Sequence, residues 1–289
     1  MNMGLKEFLK KAVKEGWALG HFNISNLEQL RAILNAAQSV RAPVQIGTSE
    51  GERGFIGLRQ AVYLIKAFRE ETGLPIFLNA DHCKTVASAK EAADAGYESI
   101  HIDLSAKPFG ENIKGTKETV EYAKSKNEDI SVEGELGFLR GESKIQKEIV
   151  EIKPEDLTKP EEAVKFVKET GIDRLAPVVG NIHGIAANEP ELDIERIRQI
   201  HEALPEIVLV LHGGSGIPDN QIKEAIKAGI SNIHINTEIR MAFSAALRQT
   251  LAQKPEETTP YKLFPEAMKA VEEKVKEKLT LFNSVDRHA

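Results

Sequence analysis

Short runs of apolar and β-branched residues alternate along the whole chain with longer segments of helical periodicity. The candidate strands are Trp17–Asn23, Pro43–Thr48, Pro75–Asp81, Ser99–Asp103, Ile130–Leu136, Arg174–Gly180, Ile207–His212 and Asn232–Asn236. Segments between them, such as Leu27–Val40 and Ile194–Ala203, predict helices of ordinary length. Strict alternation of strand and helix favours a parallel sheet covered by helices. Eight units favour closure of that sheet, so the sequence predicts an α/β fold, a TIM (β/α)8 barrel.

Further helices are predicted outside the eight units. The N-terminal segment has the pattern of an amphipathic helix, with one side formed by Leu5, Phe8, Leu9 and Ala12. Beyond the eighth strand, helices are predicted near Thr237–Leu251 and Pro265–Phe282. The last of these could cap the barrel or pair with another subunit. Because no linker-like stretch interrupts the pattern, we expect residues 1–289 to form a single barrel domain with additional N-terminal and C-terminal helices.

Composition narrows the class of protein. The 289 residues, of which 41% are hydrophobic and 28% charged, suit one globular barrel with some additions. A net charge of −6 argues against nucleic acid or an anionic membrane as the main partner. The single cysteine, Cys83, cannot form an internal disulfide, and neither a secretory signal nor a membrane-spanning apolar stretch is evident. We therefore expect a cytoplasmic enzyme.

Two connections from strand to helix are unusually long. One runs from Gly137 to about Lys159 and is rich in glycine and charge, and the other runs from Asn181 to Glu191. In a barrel of this kind the loops after the strands form the catalytic face, and long loops often act as lids. We expect the first loop to close over bound substrate, with no ladder of hydrogen bonds to fix its register.

Polar residues stand where the apolar strands end. They are Asp81, His82, Asp103, Glu133, Glu135, Asn181, His183 and His212. Strand ends converge on one mouth of a barrel, so these side chains should face each other. A single histidine is more often a satisfied polar residue than a metal ligand. Three histidines from three strands, however, suit a catalytic zinc ion, which uses three protein ligands and keeps a position open for substrate.

Glycines beside these histidines indicate a site for an anion. Gly184 follows His183, and His212 begins the segment HGGSG. Glycine lets main-chain N–H groups approach an anion closely, although ordinary turns use glycine as well. Thr237 stands at the start of a predicted helix, a position that favours phosphate. A phosphate-bearing ligand is the simplest interpretation.

Several motifs in order resemble those of class II fructose-bisphosphate aldolases, over nearly the whole chain. They are GHFNISNLE (20–28), APVQIGTSEG (42–51), LNADHCKT (78–85), SIHIDLSAKPFGEN (99–112), VEGELG (132–137), GIDRLAPVVGNIHG (171–184), LVLHGGSGIP (209–218) and INTEIR (235–240). The resemblance implies a zinc-dependent lyase of carbohydrate metabolism. Its expected substrate is fructose 1,6-bisphosphate, cleaved to dihydroxyacetone phosphate and glyceraldehyde 3-phosphate, with tagatose 1,6-bisphosphate as the alternative. A homodimer or homotetramer is implied as well.

The resemblance also implies roles for individual residues at the reacting centre. His82, His183 and His212 look like the catalytic zinc ligands, and Asp103 and Glu135 resemble ligands of a second metal position. Asp81 looks like the acid–base group at the substrate's C4 hydroxyl. A monovalent cation is implied near Gly180 and Ser215. The residues that look like substrate contacts are Asn23, Ser49, Gly184, Gly213, Gly214, Ser215, Asn236 and Thr237.

Three positions depart from the family pattern. Cys83 stands where relatives usually have glycine, and we assign it to packing. The loop glutamate that relatives use for a second proton transfer falls by count at Ser143, so Glu142, one position earlier, is the candidate. His234 falls where relatives have an asparagine at the substrate carbonyl, and we assign it to substrate binding.

Two other functions are weighed against this one. A Schiff-base aldolase would need a desolvated lysine at a strand end, and the nearest lysine to any predicted strand end is Lys84. A phosphate-binding barrel without catalysis would be consistent with the three departures, but not with the presence of Asp81 and the metal-type histidines. Metal content and an aldol-cleavage assay separate these possibilities.

Overall fold

The computed structural model describes residues 3–188 and 191–288, so residues 189 and 190 of the second long connection lie outside it. The strands are β1 (Leu19–Asn23), β2 (Val44–Thr48), β3 (Ile76–Cys83), β4 (Ser99–Ile102), β5 (Ser131–Leu136), β6 (Gly141–Ile145), β7 (Arg174–Pro177), β8 (His183–Ile185), β9 (Val208–Leu211) and β10 (Ile230–Ile235). The α-helices are α1 (Leu5–Glu15), α2 (Leu27–Ser39), α3 (Glu50–Ile56), α4 (Leu58–Thr72), α5 (Val86–Ala95), α6 (Phe109–Lys126), α7 (Pro160–Thr170), α8 (Ile194–Ala203), α9 (Asp219–Lys227), α10 (Thr237–Gln253), α11 (Pro260–Leu263) and α12 (Pro265–Leu281).

Eight of the strands in the described ranges form a closed parallel barrel. Their order is β1-β2-β3-β4-β5-β7-β9-β10, and β10 pairs with β1 to close the ring. Each barrel strand overlaps one predicted run, and the predicted barrel is confirmed. The largest difference at a strand end is at β7, which stops at Pro177 rather than Gly180. The chain leaves the ladder there and enters the long connection toward β8.

Helix α1 closes the N-terminal end of the barrel. Its predicted apolar side is buried as expected, through Leu5, Phe8, Leu9 and Ala12. These side chains pack with Leu19, Phe77 and Val208, which lie near the starts of β1, β3 and β9. The opposite end, where the carboxyl ends of the strands meet, is the one that the long loops surround.

The C-terminal helix α12 packs against the barrel and its neighbouring helices. Its buried side chains, among them Val271, Val275 and Leu279, belong to the same core as α2 and the barrel strands. It also packs along α10. Across residues 3–188 and 191–288, no helix has the length and apolar character needed to cross a membrane.

The first long loop contains a strand that the sequence pattern did not predict. Within it, β6 pairs in parallel with β8, and Gly141 lies opposite His183. The loop is held further by Arg140, whose guanidinium donates to Asp156 at 2.5 and 2.9 Å. The expectation that no hydrogen-bond ladder fixes this loop was therefore wrong. Residues 183–185 lie outside the barrel ladder, so their main-chain groups need partners, which β6 supplies.

Candidate active site

Buried polar side chains fill the interior of the barrel. Residues two apart on a strand share a face, which places Glu133 with Glu135 and His101 with Asp103. Other buried polar side chains of the strands include His21, Asn23, Gln45, Asn79, Asp81, Ser99, Ser131, Arg174, Asn232 and His234. Arg174 on β7 donates to Asn232 on β10 at 2.9 Å, although these strands are not neighbours. The polar groups therefore meet inside the ring.

Arg174 and Glu133 form a buried ion pair beneath the mouth. Arg174 Nη1 lies 2.8 Å from Glu133 Oε2, and both side chains are fully buried. Burial alone would raise the pKa of Glu133, but the charge of Arg174 and the neighbouring His101 outweigh it and hold that pKa well below its usual range. Glu133 is therefore ionised, and its other oxygen lies 2.6 Å from His212 Nε2.

The end of β3 has an unusual backbone that aims two consecutive side chains at the mouth. Adjacent residues of a regular strand point to opposite faces, so Asp81 and His82 could not both face it. His82 has a left-handed conformation, with φ of 47°, and the pairing of β3 with β4 shifts register between Ala80 and Cys83. A non-glycine residue in this conformation costs about 1–3 kcal/mol, and such strain is concentrated at functional sites.

Groups of metal-type donors gather at the mouth. One ligand atom from each of Asp81, His82, His101 and His212 lies within 4.8 Å of the others. A second group combines His82 and His101 with Asp103 and Glu135. His183 belongs to neither group, but its ring centroid lies 4.9 Å from that of His82 and 6.4 Å from that of His212. The structure thus brings the predicted ligands of both metal positions to one place.

The hydrogen bonds of these histidines leave suitable nitrogens for a metal. Glu133 accepts from Nε2 of His212, so Nδ1 of His212 is the nitrogen available to a metal. Asp103 accepts from Nδ1 of His82 at 2.8 Å, so Nε2 of His82 is the nitrogen available to a metal. Burial lowers the pKa of His183 to about 3, so its imidazole is neutral. Zinc binds imidazole nitrogen and carboxylate oxygen, so histidines held by carboxylates fit a zinc site.

Buried polar atoms without a hydrogen bond support the same conclusion. Within the described residues they include Asp81 Oδ1, and also His101 Nε2 and Glu135 Oε2, which lie 3.3 Å apart as an ion pair without forming a hydrogen bond. Leaving buried polar atoms unpaired is costly, and an absent ligand or ion is one of the few explanations. All three residues belong to the donor groups described above.

Asp81 belongs to one donor group and also contacts two other residues that face the barrel interior. Its Oδ2 accepts from Asn23 Nδ2 at 2.9 Å, and its Oδ1 lies 3.5 Å from His234 Nδ1. Burial alone would raise the pKa of Asp81, but His82, His101 and His234 outweigh it and hold that pKa well below its usual range. The carboxylate is therefore ionised and has a free oxygen.

The cavity at the mouth is lined by residues that the sequence had singled out. They are Asn23, Asp81, His82, His183, Gly184, His212, Gly213, Ser215, His234, Asn236 and Thr237. Gly214 lies just beneath, where an added Cβ would come within 2.9 Å of the Ile233 side chain. Ser49 does not line this cavity. It caps α3, and its main-chain N–H donates to Glu52.

Two lining glycines could not be replaced without moving the loops. Gly184 and Gly213 have φ of 79° and 64°, the left-handed region that glycine adopts at no steric cost. An added Cβ at Gly213 would lie 1.9 Å from Ile182 O, and one at Gly184 would lie 2.2 Å from Glu142 O. The glycines let the loops after β7 and β9 and the β6 strand pack together around the cavity. Thr237, at the start of α10, adds a helix N-terminus to the same wall.

The structure places three other predicted residues away from the cavity. Glu142 is an exposed residue of β6, paired with Lys144 at 2.8 Å, so its carboxylate does not line the described cavity. Cys83 is buried with its Sγ 3.2 Å from Arg53 Nη2, and burial raises the pKa of its thiol, as suits a packing residue. Lys84 is half exposed and paired with Asp103. The carboxylate outweighs the effect of burial and raises the pKa of this lysine, the opposite of what a Schiff base needs.

Sequence reasoning missed three residues at the site. His101 belongs to both donor groups, and its position two residues before Asp103 on one strand was the available signal. His21 stands two residues before Asn23 in the same way and stacks on His234, with ring centroids 3.5 Å apart. Glu52 lies on α3 and accepts from Asn23 Nδ2 at 2.8 Å. No strand pattern points to a helix residue of this kind.

Comparison with known proteins agrees with this geometry. Residues 3–287 match the sequence model of the family described as fructose-bisphosphate aldolase class-II. The fructose-bisphosphate aldolase of Geobacillus stearothermophilus is 38% identical over 290 residues, covering 99% of each chain. The probable fructose-bisphosphate aldolase of Bacillus subtilis (strain 168) is 38% identical over 285 residues, covering 98% of each.

Solved structures show the same relationship. The crystal structure of the YdjI aldolase from Escherichia coli K12 superposes with a TM-score of 0.86 at 31% identity, covering 100% of both chains. A fructose-bisphosphate aldolase from Campylobacter jejuni superposes with a TM-score of 0.83 at 20% identity, a level that speaks for the fold alone. With the family match over nearly the whole chain, the protein belongs to the class II fructose-bisphosphate aldolase family.

Proposed function

We propose that the protein catalyses reversible, zinc-dependent aldol cleavage of a ketose 1,6-bisphosphate. Fructose 1,6-bisphosphate is the first candidate because the relatives bear its name, and its products would be dihydroxyacetone phosphate and glyceraldehyde 3-phosphate. Tagatose 1,6-bisphosphate differs at C4 and is the alternative. The observation that carries the proposal is the ionised Asp81, whose free oxygen lies within one cluster with His82 and His212.

The proposed zinc ligands are His82, His183 and His212. Asp103 and Glu135, with His101 beside them, are proposed for a second position. Zinc at this site would act as a Lewis acid, stabilising negative charge on the oxygens of the three-carbon fragment. A monovalent cation near Gly180 and Ser215 is proposed from the family resemblance alone.

Asp81 is proposed as the base. Its Oδ1 would accept the proton of the C4 hydroxyl as the C3–C4 bond breaks, and it would return that proton in the condensation direction. Asn23 holds the other oxygen at 2.9 Å and so orients the carboxylate. His234, 3.5 Å from Oδ1, borders the same space and is proposed to contact the substrate.

A second set of lining residues is proposed to hold the phosphate of the three-carbon fragment. It combines Gly184, Gly213 and Ser215 with Asn236 and Thr237 at the start of α10. Main-chain N–H groups and a helix N-terminus favour an anion. A phosphate held here would orient the reacting carbons against the metal position, and orientation of this kind lowers the barrier by several kcal/mol.

Removal of the metal tests the proposed function. We expect about one zinc ion per chain, loss of aldol cleavage on chelation, and recovery with added zinc or cobalt. Borohydride with substrate should trap no covalent adduct. His212→Ala should lose zinc, whereas His288→Ala, a change near the C-terminus, should keep it. Full activity after exhaustive chelation and dialysis would contradict the metal mechanism, and a zinc-loaded protein that cleaves no ketose phosphate would indicate a binding barrel instead.

Glu142 is proposed to exchange a proton with the three-carbon fragment. Its main chain lies beside Gly184, and the side chain is exposed with Lys144 as partner, so the carboxylate would have to turn inward over bound substrate. We expect Glu142→Gln to slow tritium exchange at dihydroxyacetone phosphate by about 10²-fold or more. Zinc content and substrate affinity should be nearly unchanged. Glu148→Gln, also exposed in this loop, is the control, and equal exchange in both variants would move the role elsewhere.

We propose that the protein is a homo-oligomer and that it is located in the cytoplasm. Exposed apolar side chains on α10 and α11, among them Met241, Leu251 and Tyr261, are available for a contact between subunits. We propose a dimer or tetramer on this ground and on that of the family resemblance.

A further inference from the structure

Two sets of residues at the cavity offer opposite hydrogen-bonding groups. The wall around Gly213, Ser215 and Thr237 offers main-chain N–H groups, a hydroxyl and a helix N-terminus, all of which suit a phosphate. On the Asp81 side, Asn23 Nδ2 donates to Asp81 Oδ2 at 2.9 Å and to Glu52 Oε2 at 2.8 Å. An amide nitrogen has two hydrogens, so Asn23 has only its carbonyl oxygen left for a ligand.

The Glu52 carboxylate also occupies other N–H groups that could otherwise have bound an anion. The main-chain N–H of Ser49 donates to Glu52 Oε2 at 2.8 Å, and Asn236 Nδ2 faces Glu52 Oε1 at 3.5 Å. Arg53, the next residue, turns its guanidinium inward to the carbonyl oxygens of Thr48 and Asp81, at 2.7 and 3.0 Å. Around Asn23 and Asp81 the cavity therefore offers an amide oxygen and a carboxylate, with the His234 imidazole alongside and the Glu52 carboxylate bonded behind Asn23.

Acceptors and negative charges complement hydroxyl groups rather than phosphate. A hydroxyl donates a hydrogen bond to a carboxylate, whereas a phosphate near neutral pH is an acceptor that carries negative charge itself. Asp81 faces the C4 hydroxyl in the proposed reaction, so Glu52 and Asn23 lie toward the half of the substrate that leaves as the aldehyde. That half carries the second phosphate in a ketose 1,6-bisphosphate.

We propose that Glu52 determines specificity for the aldehyde half of the substrate by weakening the preference for a phosphorylated end relative to an uncharged polyhydroxy one. This inference rests on the proposed aldolase function and extends its substrate class to ketose 1-phosphates without a distal phosphate. Burial and the nearby charge of Asp81 raise the pKa of Glu52, and the hydrogen bonds that Asn23 and Ser49 donate oppose that rise.

Glu52→Gln is a close test because it removes the charge and keeps the shape. A single oxygen, Oε2, accepts from both Asn23 and Ser49, and the carbonyl oxygen of glutamine can take its place. The new NH2 group would face Asn236, whose Oδ1 is buried without a hydrogen bond. Glu50→Gln is the matched control, since Glu50 lies on the same helix but is exposed and bonded to Ser88.

The measurement is kcat/KM of the zinc-loaded enzymes for fructose 1,6-bisphosphate and for fructose 1-phosphate. We expect the unmodified enzyme to prefer the bisphosphate by no more than about tenfold, and Glu52→Gln to raise that preference about tenfold. Glu50→Gln should leave the ratio unchanged. A ratio unaffected by Glu52→Gln, or one that falls, would overturn the proposal.

A second measurement decides the question if Glu52→Gln fails to fold or if no ketose is cleaved. Dissociation constants of both ketoses are measured by calorimetry with the zinc-loaded Asp81→Asn variant, which keeps Glu52. Affinities within about tenfold of each other support the proposal. Binding of the bisphosphate that is tighter by more than this, or binding of neither ketose, contradicts it. Absence of cleavage by the unmodified enzyme, by contrast, counts against the proposed function and not against the role of Glu52.

Discussion

Asp81→Ala is expected to lower kcat for aldol cleavage by about 10² to 10⁴-fold while the fold and the zinc content are kept. Its Oδ1 is buried without a hydrogen bond, so the proton of the C4 hydroxyl is what it is free to accept. Loss of this group removes the base and leaves the metal histidines in place. Steady-state cleavage assays, with zinc measured on the same samples, give both quantities.

Two further variants serve as comparisons for Asp81→Ala. Asp81 also belongs to a group of possible metal donors, so a ligand role is the competing explanation. Asp81→Asn keeps an oxygen that could bind metal but removes the base, so under the proposed role it should be as inactive as Asp81→Ala. Asp94→Ala, at an exposed aspartate paired with Lys126, should change kcat little. Loss of zinc in Asp81→Ala without a separate catalytic defect would show that Asp81 is a ligand.

Arg174→Met is expected to lower the free energy of unfolding by about 3–5 kcal/mol, because it leaves the buried carboxylate of Glu133 without its cation. The guanidinium also donates to Asn232 at 2.9 Å and to Ser131 at 3.1 Å, and these partners lose their donor too. Since Glu133 orients His212, zinc affinity should fall about tenfold or more. Urea unfolding of the metal-free protein measures the first effect, and zinc titration the second.

The matched control is Arg198→Met on α8. Arg198 is exposed and paired with Glu195 one helical turn away, an arrangement worth at most about 0.5 kcal/mol. Arg174→Met combined with Glu133→Gln should be more stable than Arg174→Met alone, because no buried charge is then left unpaired. If Arg174→Met costs no more than Arg198→Met, the buried pair does not stabilise the barrel in the way described.

The barrel and most of the cavity wall follow from patterns in the sequence. Apolar runs of strand length recur eight times with helices between them, and parallel strands so connected have few ways to bury both faces. Because all strand ends meet at one mouth, residues at those ends, such as Asp81, His183 and His212, could be brought together without knowledge of the packing. The buried side of α1 followed from helical periodicity in the same way.

The contacts below that mouth and beside it depend on how distant segments pack. His101 and Glu133 join the site because partners on other strands, far away in the chain, reach them inside the ring. The left-handed backbone at His82 depends on a register shift against β4, and pairing register between distant segments is not encoded in a local pattern.

Around the mouth, too, some features depend on packing and do not follow from the sequence pattern. The β6 strand forms because β8 leaves an edge that needs partners, a requirement that appears only once the barrel has closed. Glu52 is linked to the cavity through Asn23, a contact between a helix and a strand 29 residues apart in the chain. Periodicity and strand ends predict which residues can face the cavity, but hydrogen-bond partners decide what those residues can do. Such partners become known only when distant segments are packed together.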